Sequence, residues 1–204
     1  MVGAGALGNF AGPGLALSGV GQIDILDFDE VDGTNLNRQI LYWDSVGRLK
    51  AEALAEKLSA IAPNTKSKAM VGKLDEHFTY FESEKPDLIL DCVDSFAARA
   101  YVNYFAVKHG IPLVSGGTNP KSGQVVVYVP RKTGCLNCKL FVEEALGEQL
   151  TATSCRFAPD PSVIMSNEIV GGMMAGEALR VLDPRLGPPL EKILKYDSRE
   201  RVRR

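Results

Sequence analysis

Apolar residues along the chain alternate between compact runs and helical spacings. Gln22 to Phe28 (QIDILDF) and Asp87 to Cys92 (DLILDC) are short, Ile- and Leu-rich runs, which predict buried strands. Ile111 to Ser115 and Gln124 to Val129 (QVVVYV) predict two more, and Leu190 to Tyr196 a last one. Residues 3–18 read as a loop then a helix carrying Leu7, Phe10, Leu15 and Leu17. Gly12, Pro13 and Gly14 require that helix to be irregular or close-packed. Arg48 to Ile61 has Leu49, Ala53, Leu54, Leu58 and Ile61 at helical spacing, and Pro63 stops it. Phe96 to His109 predicts a helix closed by Gly110. Ser162 to Leu182 predicts a long one, with Gly171, Gly172 and Gly176 at close-packing positions. Residues 30–47 hold no regular period. The alternation predicts an α/β fold, a Rossmann-like doubly wound and mostly parallel sheet with helices on both faces, its later strands free to run antiparallel.

A length of 204 residues suits one domain, 1–204, with a substantial core. The net charge of -2 offers nucleic acid and anionic membrane no electrostatic footing as main partner. No apolar run approaches the roughly 20 residues of a membrane span, and the start lacks a signal-peptide pattern. Four cysteines are too few for a disulfide framework, so a reduced, cytoplasmic protein is expected. Only Met1 and Val2 precede the first glycine loop. A central first strand is therefore expected to be largely lacking, together with any segment before it.

The chemistry lies in four ordered strings: GAGALG at 3–8, DFDEVDGTNLNRQ at 27–39, GRLKAE at 47–52 and DCVDS at 91–95. Gly3, Gly5 and Gly8 fit G-x-G-x-x-G, which brings backbone amides to a phosphate at a helix N-terminus. Alone that string also describes an ordinary tight turn. An acid about 20 residues on suits ribose hydroxyls, and Asp27 is the first choice, Asp29 the second. Asn35, Arg38 and Gln39, followed by Lys50, place two cations and two amides where a dinucleotide fold relies mainly on backbone amides. A triphosphate carries the charge that uses them. Strand alternation separates Asp91 from Asp94, and Asp94 is nearer the crevice at the strand's carboxyl end, where it can hold Mg²⁺. Asp91 reads as a cap or ion-pair partner, and Cys92 as core.

In this order, GAGALG, NLNRQ, VGRLKAE and DCVDS resemble the ubiquitin-activating-enzyme-like superfamily, closest to ThiF/MoeB/HesA-type adenylyltransferases. IPLVSGG at 111–117, GQVVVYVP at 123–130 and GCLNC at 134–138 extend the likeness over nearly the whole chain. The resemblance implies ATP and Mg²⁺ as cofactors. It also implies adenylation of the C-terminal carboxylate of a small ubiquitin-like or sulfur-carrier protein, by a homodimer. Gly3, Gly5, Ala6 and Gly8 would meet the nucleotide, and Asp27 or Asp29 the ribose. Asn35, Arg38, Gln39 and Lys50 would meet the phosphates, and Asp94 the metal beside Ser95, with Arg38, Lys50 and Asp94 carrying catalysis.

Departures from that family pattern bound the expectation. Relatives hold Zn²⁺ with two CxxC pairs, whereas only Cys135 and Cys138 are present here; a vestigial pair is the alternative. Cys155, beside Arg156, stands near the place where some relatives carry an acyl-accepting thiol, and an incidental loop cysteine is the alternative. An N-terminal arginine that reaches the partner subunit's ATP in relatives has no counterpart here. Three rival readings stay open: adenylation of a small-molecule or tRNA-borne carboxylate, an NAD-dependent oxidoreductase, and an inactive scaffold subunit. Ile169 to Met174 (IVGGMM) reads either as a subunit contact or as a buried helix.

Overall fold

Met1 and Val2 occupy the centre of the sheet in the computed structural model, which describes residues 1–142, 144 and 162–199. β1 (Gln22–Asp27) pairs in parallel with β2 (Lys66–Val71). β3 (Ile89–Asp91) pairs in parallel with β4 (Leu113–Thr118). Antiparallel pairings then add β5 (Ser122–Tyr128) and β6 (Leu194–Asp197). Val2 bridges Leu26 of β1 and Asp91 of β3, which makes one mixed sheet of the two halves. The Val2 N–H donates to Leu90 O, and the Cys92 N–H to Val2 O, each at 2.8 Å. These two residues thus take the place of the expected central strand. Toward the amino ends of β1 and β3 a cavity of about 310 Å³, lined by Leu15, Ile23, Phe81 and Leu90, separates the two strands.

The helices are α1 (Ala6–Leu17), α2 (Lys50–Ile61), α3 (Tyr80–Ser83), α4 (Phe96–His109), α5 (Leu136–Leu140) and α6 (Ile164–Leu182). Alternation along β4 and β5 sorts side chains to two cores. Val114, Val125 and Val127 face Leu54, Leu58, Val170 and Met174. Leu113, Val126 and Tyr128 face Phe81, Val102 and Phe105. Both faces of the sheet are covered, as the apolar runs require.

The α/β sheet with helices on both faces agrees with expectation, and the antiparallel pairings are those that add β5 and β6. β2 escaped the pattern reading. Its sequence KSKAMV mixes lysines with apolar residues because it lies at the edge of the sheet among the described residues. α1 runs unbroken through Pro13 and is the close-packed alternative: a Cβ on Gly14 would lie 2.9 Å from the Ala175 Cβ. On α6 only Gly171 is a close-packing position, its missing Cβ facing the Phe10 Cβ at 2.6 Å. Gly172 and Gly176 correct the expectation, for both are exposed with open space around them. Val170, Gly171 and Met174 are buried against this chain's own α1 and sheet, so the central face of IVGGMM is core.

Candidate functional site

The glycine loop leaves Val2 and enters α1 at the carboxyl edge of the sheet. Gly3 has φ +94, and a Cβ there would lie 2.7 Å from the Cys92 carbonyl oxygen. The loop is therefore pressed against the end of β3, and only glycine combines that backbone with that contact. Gly8 closes the loop from the other side, since its missing Cβ would meet Gly3 O at 2.7 Å. Gly5 is the N-cap of α1 and offers no side chain, so the first turn, which begins at Ala6, has no side-chain cap.

Asp27, at the end of β1, ties this loop down. Its Oδ2 accepts from the Ala4 N–H at 2.7 Å, and its Oδ1 from the Asp29 N–H at 2.8 Å. Burial lifts its pKa above the ordinary carboxylate value, against the pull of those two amides and of Lys50. Asp29 in turn receives the Lys50 ammonium at 2.8 Å. Lys50 is the first residue of α2, and its side chain is only 9% exposed. The Lys50 N–H also donates to Asp29 O. A continuous set of contacts thus runs from a buried cation through two carboxylates to the glycine loop. The two acids offered as first and second choice for the ribose make different contacts: Asp27 braces the loop and Asp29 pairs the lysine.

The irregular stretch after β1 is built from turns. Asp32 caps a single 3-10 turn over Gly33–Asn35, accepting from the Thr34 N–H, while the Asn35 side chain accepts from the Asp32 N–H at 3.4 Å. Arg38 donates to Thr34 O and to Asn37 Oδ1. Among the described contacts, neither Asn35 nor Arg38 reaches the glycine loop. Gln39 does: it is buried, its Oε1 has no hydrogen-bond partner, and its Nε2 lies 3.9 Å from where a Gly5 Cβ would be.

Tyr42 and Asn9 belong to the site and lack a local motif. The fully buried Tyr42 hydroxyl donates to Ala4 O at 2.6 Å, and Asn9 accepts from the Leu41 N–H while donating to Ala4 O and Gly5 O. Together they fasten the loop after β1 onto the glycine loop. Tyr42→Phe is expected to cost about 1–2 kcal/mol of unfolding free energy, measured by chemical denaturation, because the carbonyl keeps only the longer Asn9 bond.

At the end of β3, Asp91 is fully buried and serves as the ion-pair partner the sequence suggested. Its Oδ2 accepts from Ser115 Oγ at 2.6 Å and lies 3.5 Å from Arg99 Nη1, while its Oδ1 accepts from the Val93 N–H at 3.1 Å. Cys92 is buried, and burial pushes its thiol pKa far up, which removes it as a nucleophile. Two residues on, Asp94 is exposed, and among the described residues its carboxylate has no hydrogen-bond or ion-pair partner. Such a carboxylate suits a hard divalent cation that takes its other ligands from water and phosphate. Ser95 spends its Oγ capping α4, accepting from the Ala98 N–H.

Cys135 and Cys138 bring their sulfurs to 3.7 Å at the start of α5. Burial opposes it, but hydrogen bonds from the Cys138 and Asn137 region hold the Cys135 thiol below its ordinary pKa. Two thiols make half of a tetrahedral zinc site. Among the described residues no further His, Cys, Asp or Glu joins them, so the pair offers two of the four ligands such a site takes. Cys155 lies outside the described residues. No described helix is long and apolar enough to cross a membrane.

Comparison with known proteins follows the same site. The ThiF family profile matches residues 1–203. The molybdopterin-synthase adenylyltransferase of Salmonella typhimurium is 33% identical over 202 residues, covering 97% of this chain and 78% of that protein. The sulfur carrier protein adenylyltransferase of Thermus thermophilus is 34% identical over 207 residues, covering 98% and 74%. Among solved structures, E. coli MccB with succinimide superposes with a TM-score of 0.83 at 24% identity, over 98% of this chain. The chain spans 59% of that structure, and the likeness concerns the fold.

Proposed function

The chain belongs to the ThiF family, and from that premise we propose that it uses ATP to adenylate the C-terminal carboxylate of a small ubiquitin-like or sulfur-carrier protein. Relatives that align along almost all of this chain carry the names of molybdopterin-synthase and sulfur-carrier adenylyltransferases. The observation that carries the reading is the Lys50 ammonium, buried and tethered through Asp29 and Asp27 to the amides of the glycine loop. A redox dinucleotide, with its pyrophosphate held by backbone amides, leaves that cation idle.

In this reading the glycine loop and the first turn of α1 receive phosphate oxygens, while Lys50 and Arg38 neutralise the phosphate charge. Asn35 and Gln39 donate from the same loop, and Asp27 and Asp29 lie nearest the ribose. Asp94 holds Mg²⁺, which supplies further charge neutralisation on the phosphates when bound. The substrate carboxylate is ionised at pH 7, so no general base is required. Its oxygen forms a bond to the α-phosphorus as the bond to the bridging oxygen breaks, and that electron pair leaves with pyrophosphate. What the protein contributes is alignment of the two reactants and stabilisation of charge on the departing group. The unit is one nucleotide-binding domain acting as a cytoplasmic homodimer, a state that light scattering measures directly.

The discriminating experiment is a thermal-shift comparison of nucleotides. ATP with Mg²⁺ at about 100 times its Kd is expected to stabilise the protein by about 2.7 kcal/mol, with NADH giving no shift. A shift with NADH and none with ATP–Mg²⁺ would return the glycine loop to the oxidoreductase reading.

A further inference from the structure

Among the described residues the Asp94 side chain has no bonding partner, so its position is set by the peptide that carries it. That segment leaves β3 as irregular chain, yet the residue before Asp94, Val93, is held through both its N–H and its carbonyl. The Val93 N–H is held by Asp91 Oδ1 at 3.1 Å. The Val93 carbonyl, which belongs to the Val93–Asp94 peptide plane, accepts from Arg99 Nη2 at 2.8 Å. Arg99 is 8% exposed and sits on the first turn of α4. The same guanidinium also reaches β4, donating through Nη1 to Ser115 Oγ at 2.7 Å and through Nη2 to Gly116 O at 2.8 Å. The Ser115 hydroxyl in turn donates to Asp91 Oδ2 at 2.6 Å. A planar fork thus links the Asp94 peptide to two adjacent strands, which a single ammonium on a flexible stem would not do.

We propose that Arg99 is a positioning residue for Asp94, holding the Val93–Asp94 peptide against β4 so that the Asp94 carboxylate is presented to a nucleotide-bound divalent cation. The proposal rests on the adenylation reading only for the cation's identity; the hydrogen bonds on Val93 are independent of it. Its consequence is that the cost of disturbing Arg99 appears in metal dependence, beyond any cost in stability. Groups that orient a metal ligand without touching the metal commonly alter metal affinity by about tenfold or more.

The experiment is calorimetric titration of ATP into the full chain across a series of Mg²⁺ concentrations. Wild type, Arg99→Lys, Ser115→Ala, Asp94→Asn and the Arg99→Lys/Asp94→Asn double variant are compared, each with a melting curve. Arg99→Lys is expected to raise the Mg²⁺ concentration for half-saturation about tenfold, with ATP affinity in EDTA held within about twofold. Ser115→Ala, which keeps the guanidinium and removes one anchor, moves in the same direction by less. In the Asp94→Asn background, Arg99→Lys adds nothing further to the Mg²⁺ requirement. Lower melting temperatures with an unchanged Mg²⁺ requirement in folded Arg99→Lys and Ser115→Ala would overturn the proposal and leave Arg99 structural. An Asp94→Asn variant with wild-type Mg²⁺ dependence would instead remove the metal role of Asp94, overturning the adenylation-site assignment and the proposal with it.

Discussion

Lys50→Met is expected to lower carrier-dependent ATP–pyrophosphate exchange by at least about a hundredfold while leaving the protein folded. The lysine stem is buried where α2 begins, and methionine fills most of the same volume without the charge. What remains unpaired is Asp29, whose side chain is 49% exposed and keeps access to water. The stability cost is therefore small, about 1 kcal/mol at most. Phosphate charge, by contrast, would meet a site with its only buried lysine removed among the described residues. Activity and stability separate, and exchange assays beside denaturation curves read both. A folded Lys50→Met protein with near wild-type exchange would remove the lysine from the phosphate site.

The second large effect concerns backbone. Gly3→Ala is expected to cost at least about 3 kcal/mol, or a fall of roughly 6–12 °C in melting temperature for a domain of this size. Two terms add. An L-residue at φ +94 is strained, and the new methyl would sit 2.7 Å from Cys92 O and 2.8 Å from the Cys92 carbonyl carbon. Those are backbone atoms, and they cannot rotate away as a flexible side chain would. Moving them pulls at Val2, whose carbonyl accepts the Cys92 N–H and whose own N–H donates to Leu90 O. The loop and the end of β3 would shift together, so nucleotide affinity should fall along with stability. A melting temperature within a degree or two of wild type would show that the loop does not bear on β3 as described.

How much of this was legible in the sequence depends on the range of each contact. The glycine loop, Asp27, Lys50 at the head of a helix and the apolar runs of β1 and β3 are local patterns, and each is found where its spacing put it. Gly110, which closes α4 as a left-handed C-cap, is likewise a local signal, whereas Ser95 was expected beside the nucleotide and caps the helix instead. Asn9, Tyr42 and Arg99 carried no such signal. Tyr42 meets Ala4 across 38 positions and Arg99 meets Gly116 across 17, and nothing in their immediate neighbours announces the partner. β2 was missed for a different reason. An edge strand with one ladder partner and lysines at alternate positions, Lys66 and Lys68, carries no apolar alternation to read. The roles of Asp27 and Asp29 were separable only once the Ala4 amide and the Lys50 ammonium were seen to choose different carboxylates.

The central claim is that this site joins a carboxylate to AMP, and isotope exchange between pyrophosphate and ATP tests it most directly. Purified ubiquitin-fold sulfur-carrier proteins ending in glycine are supplied one at a time to the full chain with ATP, Mg²⁺ and labelled pyrophosphate, each beside a form whose C-terminus is an amide. The account predicts that label enters ATP with at least one free-acid carrier and that the matching amide abolishes it. Exchange that proceeds equally with the amide, or with no carrier at all, would contradict it.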